Sequence, residues 1–199
     1  MGSSPEQTLN ELLADLAAPT PAPGAGSATA WSCAQGAALI EMTAGITLAR
    51  PDAEDRRERM SAIAARARSL RARAGALAAA ELDAYAPVLA ALRTPRESPG
   101  RSKRLDAALS EASETPLELT AIGAELAELA AEVAEHGAPS VSGDALAGLL
   151  IAEAACQAAA RLVAINLGRR PEEPRIAEAA QHAERASELR ARVLERKLR

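Results

Sequence analysis

Pro19-Thr20-Pro21-Ala22-Pro23-Gly24-Ala25-Gly26-Ser27 is followed at once by an alanine-rich apolar run to Ala49. Each of the three prolines fixes φ and disfavours helix for the residue before it, so their alternation predicts an extended segment. Gly24 and Gly26 permit backbone angles or close approaches that other residues resist. Ser27 is placed to cap the helix behind it, whose first amide N–H groups lack partners inside the helix and form its positive end. Such an end suits an anion or a polar ligand. The stretch reads as a rigid loop feeding a buried helix that runs to about Leu48.

The rest of the chain is written in the same residues. Ala, Leu, Glu and Arg dominate, and all four are strong helix formers. Phe is absent, and Trp31 and Tyr85 are the sole aromatics, which argues against a sheet protein. With 199 residues the chain suits one domain with a substantial core. The expected fold is therefore all-α, a compact bundle of long and partly kinked helices. A core of Ala and Leu makes a thin layer per helix, so burial across a large subunit interface is expected as well.

Charge excludes several classes of partner. A net charge of −4 gives no reason to expect nucleic acid or an anionic membrane. The basic stretch from Arg185 to Arg199 includes Glu188 and Glu195 and reads as a solvated helical face. The run from Ala28 to Ala49 is long enough to span a bilayer, but Gln35, Glu41 and many small residues make it a buried helix instead. Cys33 and Cys156 lie in apolar helical runs without CxxC or Cys/His spacing, as buried thiols in a reducing compartment do. Pro5 to Asp15 is polar and amphipathic and is not a secretory signal. A soluble, cytoplasmic protein is expected.

Working outward, Leu9, Leu12, Leu13 and Leu16 predict a short helix over about 6–17. Arg50-Pro51-Asp52 closes the helix of the apolar run and opens the next, with Pro51 in its first turn. That helix runs over 53–92 and is long or once broken, with a kink at Pro87. A polar loop over 94–102 follows, then a helix pair over 103–136 broken at Pro116. Gly137-Ala138-Pro139 ends the pair. Ser142-Gly143-Asp144 opens a helix over 145–167 that is apolar on nearly every face. After a break over 168–174, a strongly charged helix over 172–199 completes the single domain.

Several chemistries fail on spacing. His136 and His182 follow Glu132 and Glu178 at four residues, whereas a di-metal bundle wants Glu-x-x-His twice with two further buried glutamates. No metal site is expected. There is no Gly-x-Ser-x-Gly, and Gly24-Ala25-Gly26-Ser27 lacks the lysine and strand of a P-loop. Asp144, at the start of the most apolar helix, is either a cap or a carboxylate held for substrate chemistry. Glu41, Glu153 and Gln157 sit within apolar helices and need partners, for which the many arginines serve. Arg93 and Arg96 flank Pro95 as either a solubilising pair or a clamp for an anionic tail.

Five ordered segments together resemble the formiminotetrahydrofolate cyclodeaminase / methenyltetrahydrofolate cyclohydrolase family, over roughly residues 8–170. They are Pro21-Ala22-Pro23-Gly24-Ala25-Gly26-Ser27 leading into Gly36-Ala37-Ala38-Leu39; Ala84-Tyr85 with Leu89, Arg93, Pro95 and Arg96; Thr115-Pro116-Leu117; Gly137 to Asp144; and Ala152-Glu153-Ala154-Ala155 with Ile165-Asn166-Leu167. Ala25, Glu81 and Gly143 stand where the family carries glycine, aspartate and serine. The resemblance implies an all-α homodimer with a folate site near its interface. The enzyme would act on the one-carbon unit at N5 and N10 of tetrahydrofolate, releasing ammonia from a formimino group or adding water to a methenyl bridge. No metal or redox cofactor is implied. Asp144 is the implied catalytic carboxylate. Pro23, Gly24, Gly26, Ser27 and Asn166 would bind substrate, with Arg50, Arg93 and Arg96 meeting its glutamate tail. A non-catalytic relative, binding folate or acting as a helical dimeric interaction protein, is the competing expectation.

Overall fold

The computed structural model describes residues 8–168, 170 and 172–197, and among them the regular structure is entirely helical. The order is α1 (Leu9–Ala17), α2 (Ala25–Leu48), a 3-10 turn (Glu54–Arg56), α3 (Arg57–Arg93), α4 (Arg101–Glu111), α5 (Glu114–His136), a second 3-10 turn (Pro139–Val141), α6 (Ser142–Leu167) and α7 (Pro174–Lys197). α2, α5 and α6 pack on one another, α3 covers α2 and α5, α4 lies on α3, and α7 packs across α5 and α6.

Small residues set the closeness of that packing. A Cβ on Gly36 of α2 would stand 3.3 Å from the Gly148 carbonyl of α6, and one on Gly123 of α5 would stand 2.7 Å from Cys156 Cβ. α2 and α6 run antiparallel, since Thr47 near the end of α2 accepts a hydrogen bond from the Ala138 amide just before α6 (3.0 Å). Larger side chains fill the remaining space, and Ile40, Met60, Leu119, Leu126 and Leu149 are fully buried.

α3 shows how sequence becomes element. Met60, Ile63, Ala67, Leu70, Ala74 and Leu77 recur at three- and four-residue spacing and form its buried stripe. Its arginines reach sideways to the neighbouring helices. Arg66 and Arg73 make two-pronged pairs with Glu125 and Glu118 of α5, while Arg68 and Arg71 share Glu41 of α2. The acid on α2 thus has the arginine partners expected for it. Glu153 of α6 pairs with Arg190 of α7 (3.8 Å) and also accepts from Ser187 (2.7 Å), whose hydroxyl in turn accepts from Gln157 (2.8 Å).

Several boundaries differ from the sequence expectation. α2 begins at Ala25 with Gly24 as its cap, so Ser27 is not the cap but lies inside the first turn, donating to the Ala78 carbonyl (3.3 Å). Pro51 sits in a turn before the helix that it was expected to open. The break in the α4–α5 pair falls at Ala112-Ser113, and Pro116 is the third residue of α5, where its missing N–H costs no helical bond. α3 continues through Pro87 to Arg93. The first helix starts at Leu9, behind a capping box between Thr8 and Glu11; the expected Glu6 start and the last two residues of the charged helix lie outside the described residues. Cys33 and Cys156 are buried and free, as expected. Glu54–Arg93 and Pro139–Leu167 are long and apolar enough to cross a membrane by length and composition, a test that core helices of soluble proteins also pass.

Candidate functional site

The proline–glycine segment forms one wall of a cavity of about 200 Å³. Pro21, Ala22 and Gly24 to Ser27 make that wall, Glu81 and Tyr85 of α3 make the second, and Leu162, Ile165 and Asn166 of α6 make the third. The first turn of α2 is built into the cavity, so amide N–H groups without intrahelical acceptors lie at its edge. Asn166 is held by a bond from its side-chain amide to the Ala112 carbonyl (3.3 Å).

Glu81 is the chemical centre of this cavity. It continues the buried stripe of α3, one turn beyond Leu77, and places a carboxyl at a position that the helix otherwise fills with apolar groups. Its Oε2 is buried without a hydrogen-bond partner. Burial pushes this carboxyl up from 4.5 to about 7. Gly26 makes room for it, because a Cβ there would overlap the Glu81 carboxyl and stand 2.7 Å from its Cγ. An acid poised near neutrality and facing a cavity is suited to give and take protons.

Among the residues expected to bind substrate, Gly24, Gly26, Ser27 and Asn166 meet at this cavity. Pro23, joined to Ala22 by a cis peptide bond, lies between lining residues. Ala25 lines the cavity and is exposed, so its methyl group does not close it. Asp144 lies elsewhere: it is exposed in the first turn of α6, about 33 Å along that helix from Asn166. Arg50 is exposed beyond the end of α2 and pairs with Asp52 (3.0 Å). Arg93 ends α3, about 12 Å along the helix from Tyr85, and Arg96 follows in an exposed loop. Among the described residues no cluster of His, Cys, Asp and Glu is arranged to hold a metal ion. Both thiols are pushed up to about 12, chiefly by burial, and are poor nucleophiles.

Glu81, named from the sequence only as standing where the family carries aspartate, was not among the expected site residues. Its signal was present: Met60, Ile63, Ala67, Leu70, Ala74, Leu77 and Glu81 keep one three–four rhythm, and the last is an acid. A charged residue on a core stripe demands either a partner or a use.

Known proteins give this geometry its family. A methenyltetrahydrofolate cyclohydrolase of Methylorubrum extorquens is 30% identical over 164 residues, covering 80% of this chain and 79% of that protein. The crystal structure of formiminotetrahydrofolate cyclodeaminase from Thermotoga maritima superposes with a TM-score of 0.83 over 98% of both chains, at 24% identity, and so shares the fold. Residues 8–185, from α1 into α7, match the Formiminotransferase-cyclodeaminase family. This chain therefore belongs to the formiminotransferase-cyclodeaminase family, whose members include folate one-carbon enzymes.

Proposed function

We propose that this protein catalyses a reaction at the one-carbon unit between N5 and N10 of tetrahydrofolate, with Glu81 as its proton-transfer group. The observation that carries the proposal is the unpartnered, half-buried Glu81 carboxyl facing the cavity walled by Pro21 to Ser27 and Leu162 to Asn166. Hydrolysis of the methenyl bridge is the first reading, because the relative that spans most of both chains at 30% identity is a methenyltetrahydrofolate cyclohydrolase.

The methenyl bridge is a cationic amidinium, and an anionic Glu81 beside it stabilises that charge. Water adds to the bridging carbon while Glu81 accepts its proton. The C–N5 bond then breaks as N5 takes the proton back from Glu81 and the carbinol hydroxyl gives up its own proton to solvent, leaving the formyl group on N10. A carboxyl at about 7 is half ionised near neutral pH and can serve in both directions. The loop amides at the start of α2 suit polar edges of the pterin, and Tyr85, Leu162 and Ile165 supply apolar surface. Arg93 and Arg96 lie past Tyr85, where the anionic glutamate tail of the substrate would extend.

The match to the Formiminotransferase-cyclodeaminase family favours a second reading at the same centre. There N10 attacks the formimino carbon and Glu81 protonates the departing nitrogen, which leaves as ammonia. Neither route needs a metal or redox cofactor. The protein acts in the cytoplasm and as a homodimer, the latter supported by the exposed Met42 and Ile46 of α2 and Leu150 and Ile165 of α6.

Loss of methenyltetrahydrofolate absorbance, corrected for the uncatalysed rate, tests the first reading, and ammonia release from the formimino substrate tests the second. Wild type should turn over at least one of the two, and Glu81→Gln should lose at least 100-fold. No turnover of either substrate, with tetrahydrofolate still raising the melting temperature, would refute the enzyme and leave a folate-binding protein.

A further inference from the structure

α4 ends in a break at Ala112-Ser113 before α5 begins at Glu114. The last carbonyls of a helix lack regular helical donors, and this break is buried, with Ala112 1% and Ser113 0% exposed. Side chains supply the donors instead. The Ser113 hydroxyl donates to the Leu109 carbonyl (2.7 Å), Arg175 of α7 donates to the Ser110 carbonyl (2.9 Å), and Asn166 of α6 donates to the Ala112 carbonyl (3.3 Å).

Asn166 also stands in the wall of the Glu81 cavity. A side-chain amide carries N–H donors at one end and an accepting oxygen at the other. The bond to Ala112 commits the nitrogen: turning the amide over would set two oxygens against each other and leave the carbonyl of a buried residue unpaired. The oxygen is then the atom left to meet a ligand. The cavity thus combines donors, the first amides of α2, with an acceptor at Asn166. That combination suits a ring carrying acceptors and N–H groups side by side, as a pterin does.

The hold on Asn166 is only as firm as the Ala112 carbonyl, and Arg175 clasps the chain on both sides of it. Its Nη1 donates to the Ser110 carbonyl and to the Glu114 carboxylate, and its Nη2 donates to the Ser110 hydroxyl (2.8 Å). Glu173 steadies the guanidinium by accepting from Nε (3.0 Å). A planar fork of five N–H donors makes this set, whereas a lysine ammonium cannot. Arg175 itself is not part of the cavity wall.

We propose that Arg175 is a positioning residue for substrate binding: it fixes the break between α4 and α5, and the Ala112 carbonyl then holds the Asn166 amide with its oxygen free for an N–H group of the ligand. The identity of that ligand rests on the folate reading of the cavity.

Kinetics with the folate substrate that the wild type turns over give the first test. Asn166→Ala should raise KM about tenfold, with kcat within about twofold, since it removes a contact made equally in ground and transition states. Arg175→Met should raise KM about fivefold, again with kcat kept, and the inflection near pH 7 should stay in place. The double variant should be no worse than Asn166→Ala alone, because both act through one bond. An unchanged KM in Arg175→Met, or effects that multiply in the double variant, would overturn the proposal. Should Arg175→Met fail to fold, Arg175→Lys keeps the cation without the fork and takes its place in the same comparison. The second test needs no substrate. In 1H–15N NMR spectra the side-chain amide of Asn166, assigned by its loss in Asn166→Ala, should shift and exchange faster with water in the Arg175 variant. An amide signal identical to wild type would overturn the proposal. A wild type that turns over neither substrate would refute the folate reading alone, and the amide signal would still decide the role of Arg175.

Discussion

Replacing Glu81 by Gln should make the protein more stable at alkaline pH while removing its activity. The carboxyl is held at about 7 in the folded chain, against 4.5 for an ordinary glutamate. Below about pH 4.5 it is protonated in both states and makes no contribution. Between 4.5 and 7 the unfolded chain releases the proton and the folded chain retains it, so the folded state binds more protons and stability falls as pH rises. Above about pH 7 the full cost is present, about 3 kcal/mol for this displacement, with water at the open cavity reducing it from that ceiling. Gln keeps the shape and cannot ionise. At pH 8 the variant should melt up to roughly 6–12 °C above wild type, since about 1 kcal/mol moves a chain of this size by 2–4 °C. At pH 4.5 the two should melt together. Thermal unfolding followed by circular dichroism at pH 4.5, 6 and 8 gives the comparison. A difference that stays constant across this range would refute the assignment of a buried, unpaired carboxyl.

Other perturbations follow from the same geometry. Gly26→Ala should displace the Glu81 carboxyl and cut turnover at least tenfold, with the melting temperature little changed because a flexible side chain absorbs the added methyl group. Gly123→Ala should behave in the opposite way and destabilise by about 1–3 kcal/mol in urea unfolding, since its Cβ meets buried Cys156. The rate of methenyl hydrolysis, after background subtraction, should rise through an inflection near pH 7 as Glu81 ionises to its basic form. Thr8→Ala should cost about 1 kcal/mol by removing the capping box of α1, measured by urea unfolding.

The fold was open to reading because its signals are local and repeated. Ala, Leu, Glu and Arg at helical spacing specify helices, and the glycines and prolines between them mark most boundaries. The misplaced boundaries share a cause: Ser27, Pro51 and Pro116 each suit more than one position near a helix start, and tertiary packing decides among them. Ser27 shows this directly, since its hydroxyl bonds to Ala78 on another helix instead of capping its own. The loop wall of the site was legible for the same local reasons. Glu81 was legible only in part, as an acid on the rhythm of the α3 stripe; that its carboxyl lacks a partner shows only in the assembled helices. Asp144 was legible as a motif residue, but the 26-residue span of α6 sets it far from the cavity of its own chain.

The central claim is that the one-carbon chemistry takes place at Glu81. A crystal structure with a bound tetrahydrofolate derivative tests it most directly. The account predicts the bridging carbon and its nitrogens within about 2.6–3.2 Å of the Glu81 carboxyl, or one water away, with the pterin between Pro21–Ser27 and Leu162–Asn166. A pterin seated in the polar cleft of Asp52, Arg56, His136 and Pro139, with the Glu81 cavity empty, would contradict it.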